Sequence, residues 1–281
     1  MIETKYCAFI DVLGYKAIVM DTSTTDEQKV KILHSIYSNL AVQFVNVVNL
    51  VNETTDTKIY LRSFSDCFYL DCASIGPLLN AISSIFSSAF GYTSKFTEEE
   101  EKTPLLRCGI VKDWIVKFKD IGAIAMGRDT DNPVGKAVAR AYETSELSRL
   151  SGMRIIISPE VIVDLEVSHL TIPDFQCYIK DIPTYGIDMR YYFRHIDTNE
   201  KDEKCNLYEM LWPYNRVNDH APECIDILTK IKPTFPLAVI RQFSKTAQLF
   251  HDSYLLSEWK IKDQRIYKRD LDAFAKLLLI N

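Results

Sequence analysis

The amino-acid sequence predicts an α+β fold, a sheet with helices packed on one face, and three observations lead there. Short runs rich in aromatic and β-branched residues alternate with segments of helical periodicity. Two of those runs, Lys58 to Phe64 and Cys67 to Cys72, are separated only by Ser65-Asp66, the mark of a hairpin. Each helical segment carries an apolar stripe that needs a surface to cover. The resulting order up to about residue 158 is β-α-α-β-β-α-β-β-α-β.

In chain order, Tyr6 to Ile10 is strand-like and ends at Asp11, after which Gly14 lets the backbone turn into a helix. Thr25-Asp26-Glu27-Gln28 has the pattern of a capped start for a longer helix, with Leu33, Ile36, Tyr37, Leu40, Phe44 and Val48 at helical spacing. Asn52 to Asp56 is a polar break before the hairpin, whose tip carries Asp66. Gly76-Pro77 opens a further helix that lasts until Gly91. Lys95 to Lys102, with four consecutive glutamates, reads as a solvated loop. Leu105 to Val111 and Ile115 to Met126 read as two strands, Pro133 as the start of a helix reaching Leu150, and Arg154 to Ser158 as another strand. Residues 1–160 are therefore expected to form one domain. Residues 161–281 are expected to form a C-terminal extension, first mixed and then helical, that packs on the domain or braces a dimer. In it Pro183 to Tyr192 and Asn206 to Trp212 suit strands, Asp197 to Lys204 a polar loop, and the chain from Pro222 onward helices.

Composition narrows the function. With 281 residues, 47% of them apolar, the chain can bury a full core. Its 33 basic residues against 38 acidic ones leave a net charge of -5, so nucleic acid is not an expected partner. Val42 to Val51 and Leu78 to Phe90 fall short of the roughly 20 apolar residues of a spanning helix, so no stable membrane association is expected either. No signal peptide is read at the N-terminus. Seven cysteines without a C-x-x-C pattern read as reduced core residues of a cytoplasmic protein, and five scattered histidines offer no H-E-x-x-H zinc motif.

Two carboxylates stand out. Asp11 and Asp66 each follow an apolar strand, and a carboxylate there needs solvent or a cation. Brought side by side, the two would make an oxygen site for a divalent metal. Taken singly, Asp11 also suits a helix N-cap and Asp66 a turn.

Ile10-Asp11-Val12-Leu13-Gly14-Tyr15, then Ser65-Asp66, then Leu106-Arg107-Cys108-Gly109-Ile110, then Gly135-x-x-Val138 resemble the class III nucleotidyl cyclase domain, in family order, over about residues 5 to 160. Phe9 to Gly14, the Phe64-Ser65-Asp66 tip and Gly135 to Glu143 most resemble the pyrimidine cyclases of the Pycsar antiphage systems. This resemblance implies a ferredoxin-like palm and two Mn²⁺ or Mg²⁺ ions held by Asp11, Asp66 and the Val12 carbonyl. It places the Leu13 and Gly14 amides near the triphosphate, and the reaction needs no protein nucleophile. It also implies a homodimer in which one protomer supplies the metals and the other completes the pocket.

Tyr60, Arg62 and Phe64 share one strand face, and Arg62 occupies the place of the base-reading lysine of similar adenylyl cyclases. An arginine suits the carbonyl edge of uracil, so the substrate is expected to be UTP rather than CTP, with cyclic UMP read by a separate effector in antiphage defence. The plainer alternative makes Tyr60 and Arg62 ordinary cross-strand partners.

The chain also departs from the family pattern. Ala139 and Glu143 stand where the family has an asparagine and an arginine, and Asp113 where it has a glycine. Arg140 is the preferred replacement for the missing cation, ahead of Lys136 and Arg149. The remaining alternatives are a cytidylate cyclase, a purine cyclase with an unusual pocket, and a catalytically inactive nucleotide-binding regulatory domain.

Overall fold

A computed structural model describes residues 1–64, 66–93, 105–117, 120, 132–147, 152–165, 168–172, 175–184, 187–198, 205–213 and 237–258. At its centre the apolar N-terminal run forms β1 (Glu3–Leu13), paired antiparallel with β3 (Cys67–Cys72) on one side and β4 (Leu105–Lys117) on the other. β2 (Ile59–Phe64) completes the expected hairpin with β3 and forms the rim of the sheet. Strand alternation puts Tyr6, Ala8, Ile10 and Val12 into the main core and turns Cys7 to the opposite face.

The first helices follow their sequence signals. Gly14 takes φ 93°, a left-handed conformation that only glycine adopts without strain, and α1 (Tyr15–Val19) starts directly after it. Thr25 accepts from the Gln28 N–H while the Gln28 side chain accepts from the Thr25 N–H, a capping box that opens α2 (Asp26–Thr54). Near its end Asn52 reaches over the rim, donating to the Ile59 carbonyl at 2.9 Å and accepting from the Ile59 N–H at 2.7 Å. α3 (Ile75–Thr93) packs beside α2 on the main core, where Phe44 stacks on Phe68 at 4.1 Å.

The α+β sheet forms as expected, with four differences in detail. β1 is longer than its apolar run, so Asp11 lies within the strand, two residues before its end. Leu105 to Val111 and the start of the Ile115 run are a single strand, β4, because Lys112 and Asp113 between them find ion partners in Asp164 and Arg140 and do not break the ladder. The rest of that second run, residues 118–119 and 121–126, lies outside the described residues. Pro133 does not open a helix. Pro133–Val134 is a two-residue β5 against Val116 and Lys117, and α4 (Lys136–Leu147) starts only after Gly135, whose φ of 141° is not helical.

The fourth difference concerns the helix layers. α2 and α3 cover the main core as expected, but α4 packs on the other face of the sheet, where Ala137 and Ala141 meet Cys7, Tyr69, Val111 and Ile115. This is possible because the central strands are apolar on both faces and Gly109 lets the helix backbone come close. A Cβ there would stand 2.2 Å from the Ala141 carbonyl oxygen and 2.6 Å from the Ser145 nitrogen.

The sheet continues past residue 160. β6 (Ile155–Ile157) runs parallel to β4, and α5 (Pro159–Leu165) returns to the main core. β7 (Ser168–Ile172), β8 (Phe175–Thr184), β9 (Ile187–Thr198) and β10 (Cys205–Met210) add to the same ten-stranded sheet through the β10–β6 pair. α6 (Leu237–Glu258) is the described part of the helical tail. It is anchored by Phe250 against Phe90 and Trp212, and by Asp252 on Arg194, which itself pairs with the buried Glu209. Residues 199–204 of the expected polar loop, and the helices expected over 222–236 and 259–281, lie outside the described residues. No helix among the described residues is long and apolar enough to cross a membrane.

Candidate active site

Asp11 projects from β1 on the α4 face, level with Cys67 of β3 and Arg107 of β4. The hairpin tip is tied to this place by its backbone: the Val12 N–H donates to the Asp66 carbonyl at 3.3 Å. Asp66 thus sits beside the end of β1, as the strand reading required. Asp11 is not a helix N-cap, since Gly14 holds that position and no side chain caps α1. A Cβ at Gly14 would meet nothing within 4 Å, so the Leu13-Gly14 backbone borders open space.

The charges are unevenly matched. Arg107 Nη2 donates to Asp11 Oδ2 at 2.9 Å and also bonds Glu146 of α4. Among the described residues the Asp66 carboxylate has no hydrogen-bond or ion-pair partner. Burial raises the Asp11 carboxyl above its usual range, Arg107 works against this, and the charges of Asp66 and Glu146 add to it. Burial followed by Asp66 likewise pushes the Cys67 thiol up to about 11. Tyr37, brought by α2 to the same neighbourhood, keeps a buried hydroxyl with no partner, raised well above its ordinary value by burial and then by Asp66.

No cluster of three or more metal-binding side chains occurs among the described residues. The donor set here is two hard carboxylates at one sheet end with an unpartnered Asp66. That fits a hard divalent cation of the Mg²⁺ type, which takes one or two carboxylates and completes its shell with water and phosphate oxygens.

The remaining predicted residues lie elsewhere on the same face. Arg62 donates from Nη1 to Asp71 at 2.9 Å, and Lys5 pairs with the same carboxylate at 3.2 Å. The half-exposed Tyr60 ring is flanked by Lys5 at 5.1 Å, Lys117 at 5.3 Å and Arg62 at 5.7 Å. Arg140 reaches Asp113 at 2.8 Å and Glu160 at 2.7 Å, and Lys136 reaches Asp113 at 3.4 Å. Asp113 faces Lys5 whereas Arg107 faces Asp11, and those positions are six residues apart on β4, about 20 Å of extended strand. Within one chain Arg140 therefore does not join the Asp11–Asp66 pair. Arg149 lies outside the described residues.

Sequence reasoning gave no role to Arg107, Glu146, Tyr37 or Asp71. For Arg107 there was a signal: a lone charge inside Leu105-Leu106-Arg107-Cys108 must find a partner.

No family model matches the chain, and no curated protein matches it. Solved structures do. A bacterial light-regulated adenylyl cyclase matches at 11% identity over 82% of this chain and 100% of its own, with a TM-score of 0.50. The guanylyl cyclase Cya2 matches at 12% identity over 75% and 93%, TM-score 0.48. The adenylyl cyclase CyaB from P. aeruginosa matches at 13% identity over 75% and 95%, TM-score 0.44. The fold is thus that of class III nucleotidyl cyclase catalytic domains, a likeness of architecture.

Proposed function

We propose that the chain is a metal-dependent pyrimidine nucleotide cyclase that converts UTP to 3′,5′-cyclic UMP and pyrophosphate, the product serving as a messenger in antiphage defence that a separate effector reads. The observation that carries this reading is the meeting of Asp11 and Asp66 at one end of a cyclase-type sheet, with more negative charge than Arg107 offsets. Asp11, Asp66 and the Val12 carbonyl would hold two Mn²⁺ or Mg²⁺ ions. Such ions, when bound, acidify the ribose hydroxyl and neutralise the departing phosphates. The 3′ oxygen forms the new bond to the α-phosphorus, the bond to the β-phosphate oxygen breaks, and the hydroxyl proton passes to solvent. The Leu13-Gly14 backbone, which borders open space, would receive the triphosphate in this reading.

Base and transition-state contacts come from a second copy in this reading, because Arg62 and Arg140 stand away from the carboxylate pair of their own chain. A homodimer brings them to it and makes two equivalent sites. Arg62 spends one donor on Asp71 and keeps others for the uracil carbonyls.

One observation favours a second reading, an inactive nucleotide-binding domain: Arg140 already has two carboxylate partners, Asp113 and Glu160. The deciding experiment incubates purified protein with Mn²⁺ and each of ATP, GTP, CTP and UTP, resolving products by mass. Cyclic UMP from the UTP tube alone is the expected result. Cyclic CMP would make it a cytidylate cyclase, a cyclic purine would overturn pyrimidine choice, and no product from folded dimer would favour the inactive domain. Arg62→Ala should flatten the preference among nucleotides, and an equal loss with all four would remove its base-reading role.

A further inference from the structure

We propose that Glu146 is a positioning residue for the carboxylate pair, acting through Arg107: it receives the guanidinium when a divalent cation takes its place on Asp11. This rests on the reading of Asp11 and Asp66 as cation ligands. A single nitrogen, Arg107 Nη2, serves both Asp11 and Glu146, while Arg107 Nε is buried without a partner. The guanidinium is therefore held by one nitrogen shared between two carboxylates, one on β1 and one on α4.

Both carboxylates stand on fixed supports. β1 is central in the sheet, and the close approach of α4 to Gly109 fixes Ser145, the neighbour of Glu146, against β4 just two residues from Arg107. A cation arriving at Asp11 meets the like charge of Arg107. If Arg107 had only Asp11, releasing it would leave a largely buried charge unpaired, at a cost of several kcal/mol. With Glu146 in reach the guanidinium moves over while staying paired. Glu146 itself is 45% exposed, so replacing it leaves the fold intact.

The test is Mn²⁺ binding without nucleotide, followed by electron paramagnetic resonance, in wild-type protein, Asp66→Asn, Glu146→Gln, Glu146→Asp, Arg107→Met and the Glu146→Gln/Arg107→Met double variant. Loss of an outer partner of a metal ligand weakens binding by about 10- to 100-fold, and that is the effect expected of Glu146→Gln, with partial recovery in Glu146→Asp. Without Arg107 there is no guanidinium to receive, so the same Gln substitution should change affinity by less than about twofold. Unchanged affinity in Glu146→Gln overturns the proposal. So does an equal loss in both backgrounds, which would mean that Glu146 acts by its own charge. If Arg107→Met does not fold, Glu146→Asp decides: affinity no better than that of Glu146→Gln overturns it. Wild-type protein that binds no Mn²⁺, or binds it unaltered by Asp66→Asn, overturns the metal reading and this one together.

Discussion

Asp71 on β3 and Asp11 on β1 face the same side of the sheet, on neighbouring strands, and their surroundings differ. Asp71 is 2% exposed and held from two sides, by Lys5 and by Arg62. Asp11 has one donor, Arg107, which it shares with Glu146, and a second carboxylate, Asp66, alongside. Around Asp71 the cations match or exceed the carboxylates; around Asp11 three carboxylates face one guanidinium. The comparison separates two uses of a buried aspartate. One whose charge is met inside the chain holds the sheet together. One whose neighbourhood keeps a negative excess is, in the function proposed above, a place for a cation from outside.

The sharpest way to break this contrast is to remove Asp71. Asp71→Ala leaves the largely buried Arg62 without a carboxylate partner and Lys5 with Glu3 alone, and should lower stability by about 3 kcal/mol in urea denaturation. A loss below about 1 kcal/mol would mean that this pairing is ornamental. The complementary substitution is Asp66→Asn. Its carboxylate has no partner to lose among the described residues, so stability should stay within about 0.5 kcal/mol. Cyclic nucleotide formation in Mn²⁺ should meanwhile fall on the order of 10²-fold or more, and retained turnover would end the two-carboxylate reading.

The smallest effect is expected at Asp113, at the charge-matched end. Burial alone would raise its carboxyl, but hydrogen bonds from Arg140 and the Trp114 N–H, with Lys136 nearby, bring it below the ordinary 3.8. A depressed carboxylate contributes stability that is complete above its unfolded-state value and is lost as pH falls through the lower folded-state value. Asp113→Asn should therefore cost stability at pH 6 and progressively less below about pH 4, the region where Asp113 itself becomes protonated. A cost that does not change with pH would show that the ion pair contributes nothing.

The sequence reading succeeded where the information was local. The capping box at Thr25, the Gly14 turn and the hairpin are each specified within a few neighbouring residues. Its misses came from long range. Arg107 reaches Asp11 across 96 residues of chain, and Glu146 reaches Arg107 across 39, so periodicity could register neither pairing. The stripe of α4 announces a buried side without saying which face of the sheet it seeks, and it is Gly109 on β4 that admits the helix to the second face. Lys112-Asp113 looked like an interruption because polar residues are disfavoured in strands. Asp164 and Arg140, which make the pair acceptable there, are supplied by other elements. Arg62 is an intermediate case, since its partner Asp71 lies only nine residues away across the hairpin.

Asn52 has a bearing on the protein in a crowded solution. A rim strand offers unsatisfied amides and carbonyls on which another polypeptide can polymerise. By meeting both backbone groups of Ile59 with one side chain, Asn52 imitates the next strand and stops it at the first residue of β2. The rim is thereby closed at this one position without a further strand, and recruitment of stray chains along this side must begin beyond Ile59.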